Sequence, residues 1–148
     1  MLTKADLKFI STLRINARES LTSISKKTKI PISTLYEKLK RHEESLILKH
    51  TALIDFSKIG YMCRANIMLR TNKEHREKLA SYLKVHPAIN NLFKINNGYD
   101  FLVEGVFVHI KELEDFLEEL EEKFPLEEKK THHIIDEIKR EEFMVPMI

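Results

Sequence analysis

The sequence predicts an α+β chain in two parts: an N-terminal helix-turn-helix unit of winged-helix-like character, then a ferredoxin-like βαββαβ unit. Three observations carry this prediction. Residues 1–60 hold 12 Lys+Arg against 6 Asp+Glu, a net of +6, whereas residues 61–148 hold 13 against 17, a net of −4. Apolar residues in the first part recur at helical spacing on either side of a proline-marked turn. In the second part they alternate at strand spacing, or recur at helical spacing, in the order strand, helix, strand, strand, helix, strand.

The first helix is predicted over 4–16, where Leu7, Ile10 and Leu13 fall three residues apart. Thr3 stands at its N-cap, and Asp6 lies three residues on, inside the first turn. A second, short helix is expected at about 22–28, capped by Thr22, with Leu21 and Ile24 facing inward. Pro31 disfavours helix at Ile30 and so ends it. Ser33 is the expected N-cap of a third helix over 34–44, whose apolar line is Leu35, Leu39 and His42. With no Cys or second His at ligand spacing, His42 reads as a packed, hydrogen-bonded core histidine.

Residues 46–54 are β-rich and read as a connecting strand, and Gly60 as a boundary. A strand over 64–70 places Ala65, Ile67 and Leu69 on one face. A helix over 73–85 follows and stops at His86-Pro87. The next strand, 88–95, is expected to face Ile89, Phe93 and Ile95 inward. Asn97-Gly98 then joins it to a strand over 100–108, because Asn-Gly tolerates the positive φ of a tight hairpin. Leu113, Phe116, Leu117, Leu120 and Phe124 mark an amphipathic helix over 111–124, stopped by Pro125. A last strand is expected over 130–138, around Ile134, Ile135 and Ile138. The domains are therefore 1–50, a connection over 51–63, and 64–148. Both helices of the second domain cover one sheet face, and the partly apolar other face is expected to pack on a partner. The apolar tail 143–148 is expected to dock on a neighbour.

Composition narrows the function. No apolar run approaches the roughly 18 residues of a membrane span, so no membrane partner is expected. The opening residues Met1-Leu2-Thr3-Lys4-Ala5-Asp6 hold no apolar run, so no secretory leader is expected, and the single cysteine, Cys63, fits a reducing compartment. These point to the cytoplasm. Three Gly and four Pro leave no phosphate-binding loop, and the seven histidines are scattered. His132 and His133, adjacent on a strand, point to opposite faces. Neither a catalytic group, a metal site nor a bound cofactor is legible, so an enzyme is not expected.

The basic half suggests a polyanion partner, double-stranded DNA. Lys26, Lys27 and Lys29 are placed to neutralise phosphates. The third helix presents Thr34, Glu37, Lys38 and Arg41 opposite its apolar line, flanked by Tyr36 and Lys40. Ser33 and Thr34 stand at the helix start, where backbone or bases are met. Lys38 and Arg41 are the expected groove readers, and Lys40 joins the phosphate set. Glu37, Glu43 and Glu44 offset Lys38, Lys40 and Arg41, which keeps open a second reading: a small-molecule-sensing or architectural assembly protein with weak or non-specific DNA binding.

The chain resembles the leucine-responsive regulatory protein / AsnC family of feast/famine transcription regulators over nearly its whole length. The resemblance rests on Leu2-Thr3-Lys4-Ala5-Asp6, Ile24-Ser25, Ser33-Thr34-Leu35 and Lys38-Leu39-Lys40-Arg41-His42-Glu43 leading to Leu46-Ile47. It continues with His86-Pro87-Ala88-Ile89 and Asn97-Gly98-Tyr99-Asp100-Phe101-Leu102. His42 stands where the family usually has leucine, and Ser45 where it usually has glycine. Asn97-Gly98 differs from the family's usual hairpin. The resemblance implies a sequence-specific regulator working with the transcription machinery. It implies a homodimer formed through the βαββαβ sheets, dimers that commonly assemble to octamers, and an amino acid or similar small effector at Asn97, Gly98, Tyr99 and Asp100. There Asp100 would meet an α-ammonium group and turn N–H groups a carboxylate.

Overall fold

The computed structural model describes residues 1–144. The chain forms two compact units: Met1–Leu53 together with the segment from Ile138 onward, and Ile54–Glu137.

The first unit opens with α1 (Lys4–Ile15). Thr3 and Asp6 form a full capping box: the Thr3 hydroxyl accepts the Asp6 N–H, and the Asp6 carboxylate accepts the Thr3 N–H at 2.8 Å. The expected inward line, Leu7, Ile10 and Leu13, is only half-buried. The helix instead turns Phe9 fully inward, with Asp6 one turn before it. Phe9 offers the larger apolar area, and Asp6 finds polar partners in Lys38 and His42 that make its burial tolerable. Phe9, Ile24 and Leu35 make the core, with Leu13, Leu21, Ile30 and Leu39 packed around them.

α2 (Leu21–Thr28) is capped by Ser20, whose hydroxyl accepts the Ser23 N–H, so Thr22 lies inside the helix rather than at its cap. Lys29 ends it in the left-handed conformation, φ 63°. The Ser25 hydroxyl donates to the Ile30 carbonyl at 2.6 Å and fixes the turn. α3 (Ile32–Ser45) starts earlier than expected, directly after Pro31. The proline excludes helix only from the residue before it. Its own extended ψ of 145° suits a cap, and its carbonyl accepts the Leu35 N–H. Ser33 is thus an exposed first-turn residue, not the cap.

Residues 46–54 carry no strand. Among the described residues no strand pairs with them, so their β-rich composition completes no ladder. At the other end of the unit, the Arg14 guanidinium donates to the carbonyls of Glu141 and Phe143, each at 3.0 Å, and lies 3.4 Å from the Glu141 carboxylate. Glu141 and Met144 both have positive φ. Of the tail predicted to dock on a neighbour, residues 145–148 lie outside the described residues.

The second unit begins with a 3₁₀ turn, Phe56–Ile59, closed by Gly60 at φ 98°. Its regular elements are β1 (Cys63–Thr71), α4 (Arg76–Val85), β2 (Ile89–Lys94), β3 (Phe101–Phe107), α5 (Ile110–Lys123) and β4 (Leu126–His133). The sheet order is β2-β3-β1-β4, and every neighbouring pair is antiparallel. This is the predicted ferredoxin-like arrangement. Alternation along β1 and β3 buries Ala65, Ile67, Leu69, Phe101, Val103 and Phe107. Against them pack Leu79 and Leu83 of α4 and Leu113, Phe116, Leu117 and Leu120 of α5. Asn97 (φ 63°) and Gly98 (φ 92°) turn the hairpin as Asn-Gly predicts.

Two strands depart from expectation. In β2 the register slips between Ile89 and Asn91. The bulge resets the alternation, so Ile89 and Leu92 pack on the core while Phe93, expected inside, is 53% exposed. The last strand is 126–133, not 130–138, and Ile135 and Ile138 are exposed beyond it. β4 is an edge strand, defined by pairing with β1 from Thr71↔Leu126 to Ala65↔His133. Its mostly polar side chains therefore hid it from an apolar pattern. The sheet face away from the helices carries Met68, Leu102, Val106 and Phe93 around an Arg64–Glu104 ion pair of 2.8 Å. Among the described residues, no helix is long and apolar enough to cross a membrane.

Candidate nucleic-acid interface and effector turn

α3 presents its polar face because Leu35 and His42, a helical repeat apart, hold the opposite face inside. Ser33, Thr34, Tyr36, Glu37, Lys40 and Arg41 are exposed along it, as are Lys26, Lys27 and Lys29 at the end of α2 and in the turn. Lys27 pairs with Glu19 at 2.5 Å. That ion pair, with the Ser23 hydroxyl, holds the Glu19 carboxyl below its ordinary range.

Lys38 is placed differently from the other candidates. Its side chain is only 15% exposed, and its ammonium lies 2.7 Å from Asp6 Oδ1. His42, buried, brings Nε2 to 3.2 Å of the same oxygen. Arg41 approaches it at 3.6 Å while remaining 63% exposed. The Asp6 side chain is 4% exposed. The hydrogen bond from Lys38, and then that from the Thr3 N–H, hold its carboxyl well below the usual carboxylate range. Sequence spacing marks Asp6 as a residue of the α1 cap and nothing more. The residues it joins are 32 and 36 positions away, and no local pattern signals such a pairing.

The four candidate effector residues form one turn at the end of the β2–β3 hairpin. The Gly98 carbonyl accepts from Arg70 at 3.3 Å. The Tyr99 hydroxyl donates to Glu128 at 3.2 Å, and desolvation, followed by that hydrogen bond to the carboxylate, raises the phenol above its ordinary range. The Asp100 carboxylate accepts the Thr71 N–H at 2.8 Å and pairs with Arg76 at 2.9 Å. Arg70 also reaches Glu128 at 3.1 Å. Arg70 and Arg76 were not anticipated, since their roles depend on strand register and on the start of α4. A shallow apolar recess of about 660 Å³ lies elsewhere in this unit, lined by Met62, Cys63, Val108, His109, Ile110 and Lys111. None of the four turn residues lines it. No cluster of three or more metal-ligating side chains occurs among the described residues.

Known proteins agree with this architecture. Residues 64–143 match the Lrp/AsnC ligand binding domain family. The HTH-type transcriptional regulator FL11 of Pyrococcus horikoshii is 31% identical over 118 residues, covering 79% of this chain and 78% of that protein. Its counterpart in Pyrococcus furiosus is 31% identical over 119 residues, covering 80% and 79%. A transcriptional regulator from Neisseria meningitidis, solved as an L-Met complex, superposes with a TM-score of 0.87 at 20% identity, over 95% of this chain and 94% of that one. Bacillus subtilis LrpC superposes at 0.84 with 22% identity, over 94% and 98%. The fold and these matches together define a helix-turn-helix regulator. The chain belongs to the Lrp/AsnC family.

Proposed function

We propose that the protein is a sequence-specific DNA-binding transcription regulator. It acts as a homodimer or larger even-numbered oligomer and is modulated by an amino acid or similar small effector. The observation that carries the DNA-binding reading is the exposed polar face of α3, set beside the lysines that end α2 and backed by the Phe9–Ile24–Leu35 core. A helix held this way offers Thr34, Tyr36, Glu37 and Arg41 to base edges in the major groove. Lys26, Lys27 and Lys40 meet phosphates, and Ser33 meets the backbone at the helix start. Lys38, whose ammonium is committed to Asp6, orients the helix rather than reading the groove. In this reading residues 1–50 bind DNA, 51–63 connect, and 64–148 hold the dimer and the effector.

The second sheet face supports the dimer, since Phe93 is exposed on it and Met68, Leu102 and Val106 beside it are only partly buried among the described residues. For the effector, the Asn97–Asp100 turn supplies backbone N–H groups to a carboxylate. The Asp100 carboxylate, using two of its roughly four acceptor positions on Arg76 and Thr71, retains capacity for an ammonium group.

The test is a fluorescence-anisotropy titration against the DNA upstream of the protein's own gene and a random duplex of equal length. It is run over a range of salt, with and without free amino acids, and with the mass in solution measured alongside. Selective binding with a steep salt slope is expected. Arg41→Ala should weaken the specific duplex by about 1–3 kcal/mol, whereas Lys26→Ala should weaken both duplexes alike and flatten the slope. Equal affinity for both duplexes would overturn the reading.

A further inference from the structure

We propose that Asp6 is a positioning residue for DNA recognition. It restrains two cations of α3 and thereby keeps the head selective. The proposal rests on the DNA-binding reading above and deepens it. Asp6 lies on α1, behind the helix proposed to face the groove, and is only 3% exposed. Its one oxygen, Oδ1, is shared by Lys38 at 2.7 Å, His42 at 3.2 Å and Arg41 at 3.6 Å, three residues spaced along α3. Its other oxygen, Oδ2, takes the N–H and the hydroxyl of Thr3, both at 2.8 Å, so the carboxylate itself is fixed. The anion is therefore anchored at the start of α1, and α3 is pinned to it at three points.

The consequence follows from what free cations do beside DNA. A flexible lysine on the DNA side neutralises any phosphate within reach, which adds affinity without information. Lys38 is denied that role, because moving it to a phosphate would leave the buried Asp6 charge short of its nearest counter-ion. Arg41 keeps most of its surface in solvent, yet one end rests near Asp6, which narrows the arc its guanidinium sweeps. A planar, bidentate donor gains selectivity when its orientation is set beforehand.

The test compares full-length wild type with Asp6→Asn and Lys38→Gln on specific and random duplexes across a salt series. The asparagine keeps an acceptor for the Thr3 N–H and removes the charge. Asp6→Asn should bind random DNA severalfold more tightly at low salt, steepen the log–log salt slope by about one, and cut the specific-to-random ratio severalfold. Lys38→Gln should leave the wild-type slope unchanged, since its amine is already committed. Asp6→Asn with an unchanged slope, or with equal losses on both duplexes, would reduce Asp6 to a structural role and overturn the proposal. So would a Lys38→Gln slope as flat as that of Lys26→Ala. If Asp6→Asn fails to fold, the Lys38→Gln slope decides alone. Wild type binding neither duplex would instead overturn the DNA-binding reading itself.

Discussion

Thr3 donates its amide and hydroxyl to one oxygen of Asp6, while Lys38 and His42 approach the other. A buried carboxylate so supplied stabilises the folded unit only while it is ionised. Its value in the fold lies below the ordinary 3.8. The contribution is therefore fully present above about pH 4 and drains away as pH falls through the range below it. Asp6→Asn should cost about 1–3 kcal/mol at neutral pH, the range for hydrogen bonds to charged groups with one partner neutralised. Denaturant unfolding followed at neutral pH and near pH 3 should show the gap between wild type and variant narrowing on acidification. A gap that stays constant with pH would contradict the assignment. The sequence showed Asp6 as a cap and His42 as a core residue, and both are found there. It did not show that the two meet, because contact between α1 and α3 depends on how the helices cross, which residue spacing within one helix does not encode.

Among the elements, those with strong periodicity were legible: α5, β1, β3 and the Asn-Gly hairpin all stand where their apolar spacing or turn chemistry placed them. Failures cluster where backbone pairing overrides side-chain pattern. The bulge in β2 flips Phe93 outward, and β4 exists through its ladder with β1 despite a run of charged residues. The β2–β3 turn lends itself to a direct test. Gly98 sits at φ 92° with no heavy atom within 4 Å of where a Cβ would project. Gly98→Ala should thus report backbone conformation alone and destabilise the second unit by about 1–2 kcal/mol. Thermal unfolding would measure it. A neutral result would mean that the turn relaxes to another type, and the geometry of Tyr99 and Asp100 would move with it.

On the scale of the whole molecule, two chemistries share one chain: a basic three-helix unit and an acidic sheet unit whose second face carries the exposed Phe93 beside the partly buried Met68, Leu102 and Val106. If that face joins two copies, a charge placed at its centre should separate them. Leu102 lies opposite Met68 on β1 and Phe93 on β2. Leu102→Asp should convert the oligomer to monomer in sedimentation velocity and sharply weaken binding to a two-half-site duplex, while leaving the fold intact. An unchanged mass would place the assembly surface elsewhere. Neither the dimer nor the operator is legible in a single sequence, since each depends on surfaces that only a second molecule completes. The grip of Arg14 on Glu141 and Phe143 has a consequence for how the protein is made. Chains emerge from the ribosome N-terminus first, so Phe9, Ile24 and Leu35 can assemble early in synthesis. The carbonyls that occupy Arg14 arrive more than a hundred residues later, after the entire sheet has been translated. The first unit to gain a core is thus among the last to be finished, and a chain interrupted after Glu137 would carry a folded three-helix bundle whose Arg14 still awaits its tail.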